Sequence, residues 1–542
     1  MTIRTAPILA SAFVFLLVSS TAQAETKAPV GTKAPVIQAP ALAPNTDAHA
    51  RPLGIDEAIS LGVQNNLGVQ VNRYTPYVAQ YEAEAAWGAY DPLFEGDVFY
   101  GEQTEQNAII TNAPNEADQL NGGVGISALL PYWGGRVNVD FDASRAHTDF
   151  ALERLSPKYN SGLTLGVTAP LLRGLIWNEP WTQVKVSELA YGSQIDDFTT
   201  AVMNTVLAIV TDYWALVANQ EKVRVAEKSL ESNQALLDQT KIQYEVGVVS
   251  KVEVIQAEAG VANSEFNLIL TRNEYLNSQD RLIASVLGDR LRADTTLQFQ
   301  PTDNPAYTGA EPVDLNRAVA IAFAQRPELA AAHKQIEQGE VGLKFAKNQR
   351  LPRLDVNFQY RTDGTTGELK PPLPDPFGPE PTNTGNFGDT FDTYYRSGGP
   401  RELSAMALVS IPLGNTRGRK NVSKARVQLR QAESLVTQLE QNIIVSVRRA
   451  ARSLLASALG VEASERRRIA AAEQLRAENI RLEHGESTPF DVLQRERDLV
   501  DAESQKISAL QAYRVSQAAL QREEGTILAD RNVVIEQVRK LD

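Results

Sequence analysis

The chain has 542 residues, a formal net charge of −13 and no cysteine. Acidity with scattered Lys and Arg speaks against nucleic-acid binding, and the missing thiols exclude disulfides, thiolate metal sites and a cysteine-linked lipid anchor. His49, His147, His333 and His484 stand apart without metal-ligand spacing, and no G-x-S-x-G, P-loop or dinucleotide glycine pattern occurs, so the chain reads as non-enzymatic and without cofactors.

Residues 1–24 read as a secretory signal peptide. Arg4 precedes a short apolar run, and Ala22-Gln23-Ala24 supplies the cleavage site. Residues 25–53 are rich in Pro and Ala and carry no period, which suits an extended arm. A helical pattern runs from about 56 to 87 and stops before Pro92. No later segment offers about 20 consecutive apolar residues, so membrane insertion would require a barrel.

Four candidate strands follow at 93–101, 121–130, 135–145 and 161–170, and two more at 353–361 and 403–411. In each, apolar and polar residues alternate. Phe94, Val98 and Tyr100 oppose Glu95 and Asp97; Val137, Val139 and Phe141 oppose Asp140 and Asp142; Val356 and Phe358 oppose Asp355. The pattern fits a barrel wall with a lipid face and a wet lumen, and it also fits an ordinary half-buried sheet. Charge on the polar face, at Glu95, Asp97, Asp140, Asp142 and Asp355, and aromatics near strand ends favour the barrel with those acids lumen-facing. The connections 102–121 and 362–402 read as long loops, the second rich in Pro and Gly.

Two long tracts, about 182–246 and 420–484, are helical with apolar steps of three and four, as in a coiled coil. About 65 residues at 1.5 Å each give on the order of 100 Å. Each tract ends in the same turn. YEVGVVSKVEVIQAE (244–258) aligns without gaps on LEHGESTPFDVLQRE (482–496). Gly247 and Gly485 suit a left-handed helix stop, while Ser250 with Glu253, and Thr488 with Asp491, form capping boxes that restart a helix. Pro489 takes the first helical position.

The echo is wider than these turns. Ala58-Ile59 aligns with Ala318-Val319, Pro92 with Pro352, and 164–171 with 406–413. The chain therefore divides into repeats 54–288 and 313–525, joined by a linker (289–312) and followed by a tail (526–542). Each repeat holds a helix, strands (93–170; 353–413) and a long helical hairpin (182–288; 416–525).

These features together resemble the TolC-like outer membrane efflux protein family over about residues 54–525. The turns Tyr244–Val254 and Gly485–Leu493 and the joins Ala169–Gly174 and Ile411–Gly414 carry the likeness most specifically. The resemblance implies an α+β membrane protein: a homotrimer whose β-barrel in outer membrane lipid continues as a long α-helical coiled-coil tunnel in the periplasm, built by tandem duplication. It implies export from an inner-membrane RND, ABC or MFS pump, or a type I secretion system. A periplasmic membrane-fusion (adaptor) protein would dock at the tip turns Gly247, Val248, Val249, Ser250, Gly485, Glu486, Ser487 and Thr488. Asp491 matches an acid that narrows the closed aperture, with Glu253 as its counterpart. Gln494 stands where the best-known members carry a second acid, and a basic residue expected near Ser487 is missing. The family's usual two strands per half leave four in the first half to be explained by an added hairpin, or by long strands interrupted at Pro131 and Gly134-Gly135. A stand-alone porin and a soluble periplasmic coiled-coil scaffold are the alternatives; the long helices argue against a porin.

Overall fold

The computed structural model describes residues 50–106, 114–150, 153–292, 295, 297–305, 307, 309, 312–371, 381–395 and 400–535. The signal segment, nearly all of the arm and the centre of the 362–402 connection lie outside them. The elements run β1 (Ala50–Leu53), α1 (Ile55–Asn65), α2 (Leu67–Trp87), β2 (Leu93–Gln106), β3 (Pro114–Leu129), β4 (Arg136–Thr148), β5 (Leu155–Pro170), α3 (Glu179–Glu245) and α4 (Lys251–Leu287). They continue β6 (Gln298–Pro301), α5 (Leu315–Gln325), α6 (Pro327–Gln349), β7 (Arg353–Leu369), α7 (Asp389–Tyr395), β8 (Arg401–Ser410), α8 (Thr416–Glu483), α9 (Pro489–Glu524) and α10 (Ile527–Asp530).

The two parts of the chain match element for element. α1 and α5 each have 11 residues, α3 and α8 have 67 and 68, and α4 and α9 have 37 and 36. The helix expected over 56–87 is broken at Asn66, whose side chain accepts from the backbone N–H groups of Gly68 and Val69 and so caps a new helix. In the second part no side chain caps α6, and Pro327 at its first position marks the restart instead.

Six strands form one antiparallel sheet in the order β2-β3-β4-β5-β7-β8. β3 and β4 are separate paired strands of 16 and 13 residues, so the first half carries an added hairpin and not two interrupted long strands. The predicted 102–121 loop is mostly strand, since β2 runs to Gln106 and β3 starts at Pro114. β7 likewise extends eight residues past the predicted end at 361. From β7 the chain returns over the sheet: the Ser161 hydroxyl donates to Thr390 Oγ1 at 2.8 Å, and Phe391 stacks on Phe141 with centroids 5.7 Å apart.

The main core lies where the helices cross a small second sheet. β1 pairs in parallel with β6, so the arm's last residues and part of the expected linker are folded structure. Gln279 exchanges two hydrogen bonds with the Phe299 backbone, at 2.6 and 3.0 Å. The Tyr213 hydroxyl, pushed up by burial and by Asp303, donates to the Leu53 carbonyl at 3.0 Å. Around them Val206, Ile209, Leu216, Leu282 and Ile59 are buried, and Ile527 of the expected tail joins them. An 18-residue window of α3 is apolar enough on average to pass for a membrane span, although α3 holds no run of about 20 consecutive apolar residues. More than half of it (56%) is buried against neighbouring elements, so its apolar character is spent on the core.

A second cluster joins α5, α6 and α8 through Ala322, Leu329, Ile443 and Val447. Beside it Arg326 is buried and meets Glu328 at 3.1 Å, Glu523 at 3.0 Å and Ser446 at 3.2 Å. Arg522 reaches Glu328 at 2.9 Å and Asn204 at 2.8 Å, which ties α9 to α6 and α3.

Candidate functional site

The repeated turns are sharp αα-hairpins whose geometry follows from capping. Gly247 and Gly485 have φ of +79° and +74°. No side chain crowds either one, so glycine is needed there for the backbone angle alone. In each turn the N–H three residues past the helix end reaches back five residues: Val248 to the Gln243 carbonyl and Glu486 to that of Arg481, both at 2.8 Å. The restart uses capping boxes at Ser250/Glu253 and Thr488/Asp491. The Ser250 N–H donates to Glu253 at 2.7 Å. The Thr488 hydroxyl donates to Asp491 at 2.7 Å and holds that carboxyl below its usual range.

The two tips differ chemically. Val246, Val248, Val252 and Ile255 at the first are exposed apolar residues. The second exposes Phe490 beside a polar brace: Ser487 donates to Glu478 at 2.5 Å, Glu478 pairs with Arg481 at 3.2 Å, and Arg481 donates to the Glu486 carbonyl at 3.3 Å. Glu478 and Arg481 were missed from sequence, although their spacing of three marked them as an intrahelical pair. Ser487, where a base was expected, thus binds an acid nine residues back on α8. Glu253 and Asp491 are brought into their capping roles, and Gln494 is exposed on α9. Glu496, by contrast, is buried, and burial with the nearby Glu503 pushes its carboxyl up.

The sheet's two faces are chemically distinct across all six strands. One register row runs Phe94, Ile126, Val139, Leu165, Tyr360 and Leu403. The row beside it runs Glu95, Gly125, Asp140, Thr164, Arg361 and Glu402 on the opposite face. The five acids singled out from sequence, Glu95, Asp97, Asp140, Asp142 and Asp355, all fall on that second face. Apolar side chains of the first face stay exposed, Leu403 at 81% and Phe94 at 67%. On the polar face side chains lie flat over glycines: a β-carbon at Gly125 would stand 2.4 Å from Asp140 Oδ1. Arg361, also missed from sequence, bonds Asp142 at 2.9 Å, Asp363 at 2.7 Å and Thr164 at 3.2 Å.

Where sheet meets helices, aromatic rings gather. Tyr132 and Trp87 lie 4.6 and 5.9 Å from Trp181, and Lys185 stands 4.8 Å over the same ring. Trp133, in the β3–β4 turn, is exposed, and Lys344 caps Trp177 at 5.5 Å. Four of the chain's five tryptophans therefore mark this level, a placement typical of a membrane–water boundary.

A family model described as outer membrane efflux protein matches residues 136–288 and 319–526. The chain is 23% identical over 160 residues to the pyoverdine export outer membrane protein OpmQ of Pseudomonas putida, covering 29% of this chain and 33% of that relative's length. The outer-membrane channel OprN has a similar structure, with a TM-score of 0.62 at 15% identity, over 87% of this chain and 89% of that one. The Campylobacter jejuni CmeC outer membrane channel gives a TM-score of 0.61 at 14% identity, over 87% and 86%.

Proposed function

The chain belongs to the outer membrane efflux protein family, and on that premise we propose that it is the outer-membrane channel of a tripartite efflux or type I secretion assembly. Substrates pass from an inner-membrane pump and a periplasmic adaptor to the exterior, and the channel does no chemistry itself. The observation that carries this reading is one sheet with an apolar row running across all six strands and a charged row on its other face, continued by two helical hairpins far longer than a bilayer is thick.

The apolar face meets lipid and the acidic face lines a wet lumen. Among the described residues β2 and β8 each leave one edge unpaired, which hydrocarbon does not tolerate. An even strand count lets β8 of one copy lie antiparallel to β2 of the next. In a homotrimer, three copies of six strands make eighteen, a barrel wide enough for an aqueous bore. The matched halves are read as a tandem duplication, which supplies six tips per trimer.

The tips are the adaptor-docking surface, the first by apolar contact and the second by polar contact. Glu253, Asp491 and Gln494 border the periplasmic aperture, where opposed copies of Asp491 resist full ionisation unless cations or opening relieve them. Export by a host lacking the gene, complemented with this chain or with a Val248→Asp variant, tests the reading. Restored export by the parent chain and its loss with Val248→Asp, at equal amounts of intact oligomer in the outer membrane, is expected. Full export by Val248→Asp would remove the first tip from the docking surface, and no export by the parent chain would remove the channel reading.

A further inference from the structure

Below the sheet, a cavity of about 440 Å³ opens between the end of α6, the start of α8 and the connection from β5 to α3. Lys344, Lys347, Arg350 and Arg426 line it, and Trp177 and Leu351 form an apolar wall. Lys344 lies 5.5 Å over the Trp177 ring. No acid lines the cavity, and among the described residues none of the four cations pairs with a carboxylate.

The charge around this cavity is one-sided. α8 opens with Arg417, Arg419, Lys420, Lys424, Arg426 and Arg430, and no acid stands between Glu402 and Glu433. None stands between Glu340 and Asp355 either. The whole chain carries −13, so this level is set apart from the rest. Helix energetics do not ask for it: at a helix N-terminus acids stabilise the dipole and cations oppose it. α4 and α9 each carry an acid in the first turn, whereas α8 carries none and has no side chain capping it. Its cations are thus locally unfavourable, and they add to the anion-attracting field of its uncapped N–H groups.

Apolar side chains are bare at the same level. Leu172 and Ile176 precede Trp177 in its connection and are exposed, and Leu413, in the join to α8, is 97% exposed. Unpaired cations beside bare apolar groups and a tryptophan match a lipid head group above its acyl chains. A small soluble anion would meet the cations and leave those apolar groups without a role.

We infer that this cavity seats the phosphate-bearing head group of an anionic phospholipid, in the leaflet nearest the helices. This rests on the proposed sheet in lipid and adds a lipid of defined charge to it. Lys347, Arg350 and Arg426 donate charge-assisted hydrogen bonds to the phosphate oxygens. Lys344, held over Trp177, borders the glycerol, and the acyl chains leave over the exposed apolar residues of the two joins.

The test uses full-length protein in dodecyl maltoside micelles holding equal phosphatidylglycerol and phosphatidylcholine, with retained lipid counted by native mass spectrometry. The parent should keep phosphatidylglycerol in preference. Each cation at such a surface contributes roughly a fivefold preference, so Lys347→Gln/Arg426→Gln should lose more than about tenfold of it while melting as the parent does. Arg448→Gln/Arg449→Gln, with the same change in net charge on exposed cations farther along α8, should lose none. Equal retention of the two lipids by the parent overturns the site and leaves the channel reading standing, and so does full preference in Lys347→Gln/Arg426→Gln. Glycerol 1-phosphate that binds the lipid-free parent as tightly as the lipid does would place the ligand in solution and also overturns it. A parent chain that does not enter vesicles of the same two lipids overturns the sheet in lipid and the site together.

Discussion

Leu493 of α9 sits in a notch left by Gly260 of α4: a β-carbon on Gly260 would stand 2.7 Å from Leu493 Cδ2. The notch couples the two hairpins just above their tips. Two effects oppose each other on substitution. Alanine gains ~1 kcal/mol of helix propensity and displaces only the end of Leu493, so Gly260→Ala should change stability by less than about 1 kcal/mol. Gly260→Val cannot be absorbed and should cost ~1–3 kcal/mol through overpacking. Thermal unfolding of the two variants side by side checks this; equal melting would refute the notch.

Capping should be separable from assembly. Thr488→Ala removes the hydroxyl that satisfies the Asp491 N–H and should cost ~1 kcal/mol. Gly485→Ala forces a β-carbon into the left-handed region, at ~1–2 kcal/mol. Both should speed amide exchange over 486–495 and leave exchange around Tyr213 unchanged. Asp491 is held low, so its share of the cap is complete above its ordinary value near 3.8 and fades as pH falls below that.

Removing the buried guanidinium of Arg326 should be the most damaging single change to the helices. Arg326→Met leaves Glu328 and Glu523 with Arg522 alone, so the loss should fall at the lower end of ~3–5 kcal/mol. Burial raises the Glu328 carboxyl, and its bonds to Arg326 more than offset this and leave it lowered. Stability from this acid is therefore present above about pH 4.5 and lost as pH falls further. An acid melt of the parent should show that loss, and Arg326→Met should flatten it.

Arg361 is expected to matter for permeation more than for folding. Its pairs with Asp142 and Asp363 are partly exposed, so Arg361→Gln should cost at most ~1 kcal/mol. Losing the cation amid acids should raise cation over anion selectivity, measured as reversal potential across planar bilayers in a salt gradient. An unchanged reversal potential would place Arg361 away from the conducting path.

Glu496 offers the opposite sign. Its carboxyl is raised by burial, so the charged form costs stability at neutral pH. Glu496→Gln should raise the melting temperature at pH 7, and the gain should shrink as pH falls and the acid protonates in the parent. A gain independent of pH would point to packing.

What was legible in the sequence was local. The tip turns could be read residue by residue, because a left-handed glycine and a capping box are completed within a few positions. The alternation along the strands was read equally well wherever the outer face is bare. It failed past 361, where Thr362, Gly364 and Thr366 are covered by the returning segment around Thr390 and Asn386, so no apolar row was needed. Arg361 escaped because its partners come from strands far off in sequence, and only the register unites them. The β1–β6 pairing joins residues about 250 positions apart and leaves no periodic trace in either four-residue segment. The break at Asn66 was hidden for a different reason: the apolar pattern continues through it, and only the cap gives it away.

The aromatic collar around Trp181 has a consequence for distance across the cell envelope. With the sheet in lipid as proposed, the collar sets its depth and so where α3 begins, and 67 residues at 1.5 Å each then place the tips ~100 Å below that level. The hairpins are thus a ruler: adding or deleting one heptad in all four long helices would move the tips by ~10 Å without altering a residue of either turn. Whatever engages those tips is matched to a set reach, and chains of this architecture with longer or shorter rods would call for partners of complementary height.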